Sequence, residues 1–151
     1  MSVLTRRALP TALVAPFVLL LAGCGPVEVA EPELASAPAC TRVAKHWPDT
    51  VADQERVETD PKGPAMHAWG DPPIIARCGM PALGPTEQQC IDVSGVDWVA
   101  EELSDGTRMT TFGRDPALEV IVPEEYGPAP LLLPAFEEAA KELPTNELSC
   151  S

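Results

Sequence analysis

The sequence has few aromatic and few basic residues, and these two shortages restrict both its core and its partners. Aromatic side chains make up 5% of the 151 residues, so the chain has little material for a large stacking surface. Lysine and arginine number 10 against 23 aspartate and glutamate, which gives a formal net charge of −13. A surface this acidic repels nucleic acid and anionic headgroups. We therefore expect no nucleic-acid partner.

Motifs for catalysis and for cofactor binding are also missing. The sequence contains no nucleophile elbow of the Gly-x-Ser-x-Gly kind and no glycine-rich phosphate-binding loop. No Cys-x-x-Cys pair is present, and neither histidine stands at a zinc-finger spacing from a cysteine. His46, His67, Met66 and Met80 do not form the clustered pattern of a copper site. We predict no catalytic set, no cofactor and no metal site.

The N-terminal segment has the order of a bacterial signal peptide. Arg6 and Arg7 precede a mostly apolar run over residues 8–21, which ends in Leu-Ala-Gly-Cys at 21–24. This tetrapeptide is similar to the lipobox, in which a diacylglyceryl group is attached to the cysteine before cleavage in front of it. The sequence thus predicts removal of residues 1–23 and lipidation of Cys24. A transmembrane helix is the alternative, but the run is shorter than the about 20 residues that a span needs. The arginine pair leaves both general and twin-arginine export open.

After the predicted cleavage, the mature chain would consist of a lipidated cysteine, a tether and one globular domain. The mature chain has 128 residues, and its 8 basic and 23 acidic residues give a net charge of −15. Residues 24–38 are rich in proline, alanine and glutamate, which predicts a lipidated cysteine followed by a flexible tether with a reach of roughly 45 Å. Residues 39–151 are the predicted globular domain. Because no polybasic patch is present, acyl chains would hold the protein at the extracytoplasmic face of the membrane.

The hydrophobic pattern predicts an α+β fold. Short helices are predicted at residues 39–47 and 131–143, the second in a segment rich in leucine, alanine and glutamate. Turn signals separate short apolar or alternating segments between them. The predicted strands cover residues 56–59, 65–69, 74–78, 88–93, 96–103, 107–112 and 118–122. We expect a small antiparallel β-meander sheet packed with one N-terminal and one C-terminal helix.

Four cysteines remain after Cys24, an even number in a chain that is predicted to leave the cytoplasm. Two disulfides are the expected outcome. Cys78 and Cys90 lie equally far from Gly84, the midpoint of a predicted hairpin, so antiparallel pairing would bring them face to face. We predict the pairs Cys78–Cys90 and Cys40–Cys150, although the sequence alone allows all three pairings.

Several motifs together resemble an actinobacterial family called domain of unknown function 3515. They are Ala-Trp-Gly-Asp-Pro-Pro at 68–73, Arg-Cys-Gly at 77–79, Val-Asp-Trp at 96–98 and Thr-Thr-Phe-Gly-Arg at 110–114. The similarity covers nearly the whole predicted domain. It implies a secreted or membrane-anchored protein and implies no particular activity.

Four residues are candidates for binding a ligand. Asp71 in a rigid turn, Trp69 as an aromatic wall, and Arg77 and Arg114 as anion-binding forks would suit an acidic or sugar-like fragment. The alternative is structural: a turn-capping aspartate, a core tryptophan and ion-paired arginines. Convergence in one pocket would favour an enzyme or small-ligand binder acting on cell-wall or lipid intermediates. Otherwise we expect a non-enzymatic domain that binds or scaffolds another envelope protein or glycan.

Overall fold

The computed structural model describes residues 25–151, and the predicted signal peptide and Cys24 lie outside the described residues. The described chain forms ten β-strands, two short α-helices and three 3-10 helices. The strands are β1 Val27–Glu28, β2 Thr50–Val51, β3 Gln54–Val57, β4 Thr59–Asp60, β5 Met66–Trp69, β6 Ile74–Met80, β7 Cys90–Val93, β8 Val96–Glu102, β9 Gly106–Thr111 and β10 Ala117–Pro123. The helices are α1 Pro38–Val43 and α2 Glu137–Lys141, and the 3-10 turns are Glu124–Tyr126, Ala129–Leu131 and Leu133–Phe136.

Eight strands form one antiparallel sheet in the order β2-β3-β5-β6-β10-β9-β8-β7. Strands β1 and β4 form a separate parallel pair beside it. The Asp-Gly turn before β9 is closed by the Leu103 N–H, which donates to the Gly106 carbonyl at 2.8 Å. The predicted fold class, a mostly antiparallel sheet with few helices and two disulfides, is confirmed.

Alternation along the strands places the hydrophobic core on one face of the sheet. Trp69, Ile74 and Leu118 are fully buried there, and Phe136 from the last 3-10 turn packs against them. The helix predicted over residues 131–143 is only partly helical: two 3-10 turns lead into the five-residue α2. Pro130 and Pro134 explain this difference, because proline has no N–H for the i→i−4 bond of an α-helix.

The predicted disulfide pairing is wrong. The structure joins Cys40 to Cys78 and Cys90 to Cys150. The predicted β6–β7 hairpin does not form because β6 pairs with β5 on one side and β10 on the other. Strand β7 lies four strand spacings away, about 19 Å at 4.8 Å per spacing. Equal distance from Gly84 along the chain therefore says nothing about proximity of the two cysteines.

The segment predicted as a flexible tether packs on the domain instead. The Val27 N–H donates to the Glu58 carbonyl at 2.7 Å, and Val29 is buried. Further along, the Leu34 N–H donates to the Gly79 carbonyl at 2.9 Å. A Cβ on Gly79, whose φ is +110°, would lie 2.5 Å from the Ala35 nitrogen, so this close approach needs glycine. The folded domain begins at β1, and residue 39 is not its boundary.

Candidate functional site

Trp69 is a core residue. It is fully buried, and its ring packs edge to face on Phe136, with centroids 5.5 Å apart. Its indole N–H donates to the Pro48 carbonyl at 3.3 Å. Trp47 packs on both rings, with centroids 6.4 Å from Trp69 and 6.5 Å from Phe136. The Trp69 ring thus offers no face to a ligand.

Asp71 is exposed in the four-residue turn between β5 and β6. A residue outside the turn holds it in place, because the Tyr126 hydroxyl donates a hydrogen bond to the Pro72 carbonyl at 2.8 Å. Burial raises the pKa of Tyr126, and the negative charges of Asp71 and Glu125 add to that effect against an opposing hydrogen bond. The tyrosine hydroxyl is therefore a stable donor that holds the turn closed.

Arg77 belongs to an ion-pair network on the sheet face opposite Trp69. Its Nε donates to Glu119 Oε1 at 2.7 Å, and its Nη1 donates to the Ala30 carbonyl at 2.9 Å. Glu119 is 3% exposed, and its second oxygen lies 3.4 Å from Arg108 Nε. Arg108 Nη1 then reaches Glu101 Oε2 at 2.8 Å. The network links the four side chains, although Arg108 Nε is buried without a hydrogen-bond partner and contacts Glu119 only as an ion pair. Through Arg77 the network also attaches the N-terminal segment to the sheet.

Arg114 holds the C-terminal segment in place. Its Nη1 donates to the Leu143 carbonyl at 2.8 Å, and its backbone forms an isolated bridge with Thr145. It lies in the turn before β10, next to the end of β6 that carries Met80. Asp71 lies at the other end of β6. The four candidate ligand residues consequently occupy separate places and form no common pocket.

A groove that the candidates do not line runs beside β4, and we name it the β4 groove. It encloses about 340 Å³ and has apolar and cationic walls. The lining residues are Arg56, Val57, Glu58, Thr59, Lys62, Gly63, Met66 and His67. Arg56 is held by the carbonyls of residues 47 and 48, and the Lys62 ammonium lies 2.9 Å from Glu58. A shallower depression on the β1 side is lined by Glu28, Val29, Ala30, Asp60 and Pro61.

His67 lines this groove, and its pKa is lowered. Its ring lies 5.6 Å from Trp47 and 6.2 Å from Trp69, centroid to centroid. Burial lowers its pKa from the ordinary 6.5, and the positive charge of Arg56 lowers it further. The neutral imidazole is the form that the folded protein favours.

Acidification should destabilise the protein through His67. Below its ordinary pKa of 6.5 the unfolded chain binds this proton while the folded chain still resists it, so the free energy of unfolding falls as pH falls. Urea unfolding at about pH 7.5 and about pH 5 measures the loss. This loss of unfolding free energy should be smaller in His67→Gln than in the wild type. The difference should be well under ~1.4 kcal/mol per pH unit, the value for one fully linked proton, because the His67 side chain is only partly buried.

The matched control is His46→Gln, which removes the other histidine and leaves the cluster around Trp47 intact. This variant should keep the wild-type dependence of stability on pH that comes from His67. An unchanged pH dependence in His67→Gln would contradict the prediction.

Within residues 25–151, no group of three or more histidine, cysteine, aspartate or glutamate side chains is placed to hold a metal ion. No helix in this described part is long and apolar enough to cross a membrane. These two observations concern the described residues alone.

Comparison with known proteins identifies the family. A family model described as a protein of unknown function (DUF3515) matches residues 8–148. The chain belongs to this family. No curated protein and no solved structure matches the chain. The DUF3515 match covers both the folded domain and the apolar segment after Arg7, so it supports the predicted relationship and brings no activity with it.

Sequence reasoning missed the structural roles of Glu119 and Arg108, and it missed the β4 groove. Glu119 interrupts the apolar residues of β10, and a charge inside such a strand was the available signal. Its partners come from β6 and β9, which are neighbours of β10 in the sheet. Only the strand order reveals that these three residues lie side by side.

Proposed function

We propose that this DUF3515 protein is an extracytoplasmic lipoprotein, anchored through Cys24, whose domain binds or scaffolds another envelope component without catalysing a reaction. The proposal rests on where the conspicuous charged residues make their contacts. Arg77, Arg114 and Glu119 each bind another part of the same chain. These contacts stabilise the domain, which is acidic overall and would stand at the end of the proposed lipid anchor.

The anchor is supported by the sequence around Cys24. The family match begins within the apolar segment, at residue 8, so the predicted leader is part of what the family model matches. Residues 21–24 have the lipobox order, with small residues at the two positions before the cut. The two acyl chains of a diacylglyceryl group would hold the protein stably on a membrane without help from basic residues.

Replacing Cys24 with alanine should abolish acylation. Cells fed an alkyne fatty acid should label the wild-type protein and should leave Cys24→Ala unlabelled, because no sulfur remains for the diacylglyceryl group. The variant should also leave the membrane fraction or become mislocalised. Ser36→Ala, an exposed substitution in the same N-terminal segment, is the control and should label normally.

Retention of an unlabelled Cys24→Ala protein with its leader uncleaved would favour the alternative, in which the apolar segment itself anchors the chain. Labelling of the alanine variant would contradict the assignment of Cys24.

The binding role is tested by cross-linking in living cells. The tagged wild-type protein is cross-linked, membranes are dissolved in detergent, and the attached molecules are identified by mass spectrometry. A reproducible protein partner that is lost with Cys24→Ala supports a scaffold that acts at the membrane. Capture of glycan or lipid alone would replace the scaffold proposal with the second candidate.

The second candidate is a small-ligand binder, and the β4 groove favours it. The groove combines an apolar floor of Val57 and Met66 with the cationic groups of Arg56 and Lys62. A wall or lipid fragment with one anionic group would suit that chemistry. Lys62→Gln should then weaken glycan capture, whereas Lys141→Gln on α2 should not.

A further inference from the structure

The chain is held on the domain from Val27 onward. The Val27 N–H donates to the Glu58 carbonyl at 2.7 Å, and the Val29 N–H donates to the Asp60 carbonyl at 2.9 Å. These bonds place β1 on β4 in parallel register. The next residues remain attached, because Arg77 donates to the Ala30 carbonyl at 2.9 Å. The position of the backbone on the domain is therefore fixed from β1 onward.

Chain length then limits how far Cys24 can lie from that point. Only Gly25 and Pro26 separate it from Val27, and three residue steps span at most about 11 Å. Proline also restricts the backbone, because its ring fixes φ. Acyl chains on Cys24 would enter the bilayer within this distance of β1. A free tether over residues 24–38 would have allowed roughly four times that separation.

We propose that the edge of the domain formed by β1, β4 and the β4 groove is a membrane-contacting surface, and that its partner is the phospholipid headgroup layer. The inference rests on the proposed lipidation of Cys24. The domain then lies on the bilayer in one preferred orientation. The chain between Cys24 and β1 is too short for the domain to rotate freely or to move away from the headgroups.

The side chains of this edge suit contact with headgroups. Val57 is 37% exposed and is one of three large apolar residues with an exposed side chain among residues 25–151. Lys62 is 73% exposed, and a lysine stem can lie along apolar surface while its ammonium stays among phosphates. Both line the groove that borders β4.

The charge of the edge selects the kind of membrane surface. Three acidic residues, Glu28, Glu58 and Asp60, outnumber the basic residues Arg56 and Lys62 there, so the edge carries no net positive charge that would attract anionic lipid. Attachment comes from the acyl chains, and a zwitterionic headgroup layer is the surface that this edge meets without repulsion. Phosphatidylcholine vesicles are therefore the probe for the test.

Lys62 and Lys141 form a pair of reporter groups within one molecule. Lys62 lies in the β4 groove, and β4 packs beside β5. Lys141 ends α2, which contacts β8. Strands β5 and β8 are four spacings apart in the sheet, about 19 Å. Both ammonium groups are accessible to a reagent in the absence of a covering surface, with 73% and 47% of their side chains exposed.

The experiment compares two lipidated proteins in phosphatidylcholine vesicles. One is the natural processed chain, and the other carries a flexible insertion of about ten glycine and serine residues between Gly25 and Pro26. A membrane-impermeant amine reagent labels both, and mass spectrometry follows each lysine with time. The insertion should raise the labelling rate of Lys62 several-fold, because the edge can leave the headgroups, and should leave that of Lys141 unchanged.

Equal Lys62 rates in the two vesicle-bound proteins would overturn the membrane-contacting surface and would leave the lipoprotein proposal standing. A parallel increase at Lys141 would also overturn it, since the insertion would then have changed access to the whole domain. The mass of the N-terminal peptide reports on the anchor separately. If Cys24 carries no diacylglyceryl group, the lipoprotein proposal itself fails.

Discussion

Replacing Arg77 with alanine should lower the free energy of unfolding by about 3–5 kcal/mol, because the substitution leaves a buried carboxylate without its main partner. Glu119 is 3% exposed, and Arg77 Nε lies 2.7 Å from its Oε1. After the substitution, Glu119 keeps only Arg108 Nε at 3.4 Å, and that guanidinium already binds Glu101. Urea denaturation of the oxidised protein measures the loss.

The double variant Arg77→Met, Glu119→Leu separates the unpaired charge from the loss of packing. It replaces the pair with apolar side chains of similar size, which often costs little or nothing when a buried ion pair is exchanged in this way. We expect it to recover most of the stability lost in Arg77→Ala. Lys62→Ala is the exposed control, and its pair with Glu58 should contribute no more than about 1 kcal/mol. A double variant as unstable as Arg77→Ala would refute the role of the buried carboxylate.

Removing the disulfide Cys40–Cys78 by a double alanine substitution should cost about 4 kcal/mol or more. The bond closes a loop with a sequence separation of 38, for which the chain-entropy model gives about 4 kcal/mol. Both cysteines are buried, at 1% and 0% exposure, so lost packing adds to the entropy term. Urea unfolding of the purified variant is the measurement.

The Cys90–Cys150 bond provides the comparison. Its loop is longer, with a separation of 60, but both cysteines are partly exposed and their truncation leaves less of a cavity. We expect the Cys90→Ala, Cys150→Ala variant to be the more stable of the two. Mild reduction of the wild type should also free Cys90 and Cys150 first. The opposite order of stability, or a peptide map with Cys78 bonded to Cys90, would contradict the structure.

The strands that the sequence predicted best are those whose partners follow directly in the chain. Strands β8 and β10 show alternating apolar residues, and the Asp-Gly turn at 105–106 marks the hairpin of β8 with β9. Strand pairing between β6 and β10 joins residues about 40 positions apart, which no local pattern encodes. The disulfide prediction failed at this step, because it assumed that consecutive strands are neighbours.

The N-terminal segment was misread for a related reason. Its composition of proline, alanine and glutamate is typical of flexible linkers, yet Val29 and Pro32 are buried against the domain. Small residues let this segment lie close to the sheet, as the contact of Ala35 with Gly79 illustrates. Composition describes how a chain behaves alone, whereas here the surface of β6 and the Arg77 side chain decide its position.

The candidate site was only partly accessible to sequence reasoning. Arg77 and Arg114 were conspicuous because basic residues are scarce, and each does bind an oxygen, but the oxygens belong to the chain itself. The β4 groove escaped notice because its walls come from three short strands and the turn between them. Neither the groove nor the pKa of His67 follows from spacing, since both depend on which side chains pack together.

The two disulfides follow one another along the chain without overlapping, and this order limits how far the protein can be stretched. Of the 127 residue steps between Cys24 and Ser151, the bridged loops take 38 and 60 and leave 29. With Cys24 anchored as proposed, force on the C-terminus would be transmitted through the covalent bridges and would extend the oxidised chain to only about 100 Å, even with every hydrogen bond broken. The oxidised protein would therefore have a short maximum extension, and reduction of both disulfides would allow the chain to extend to about four times that length.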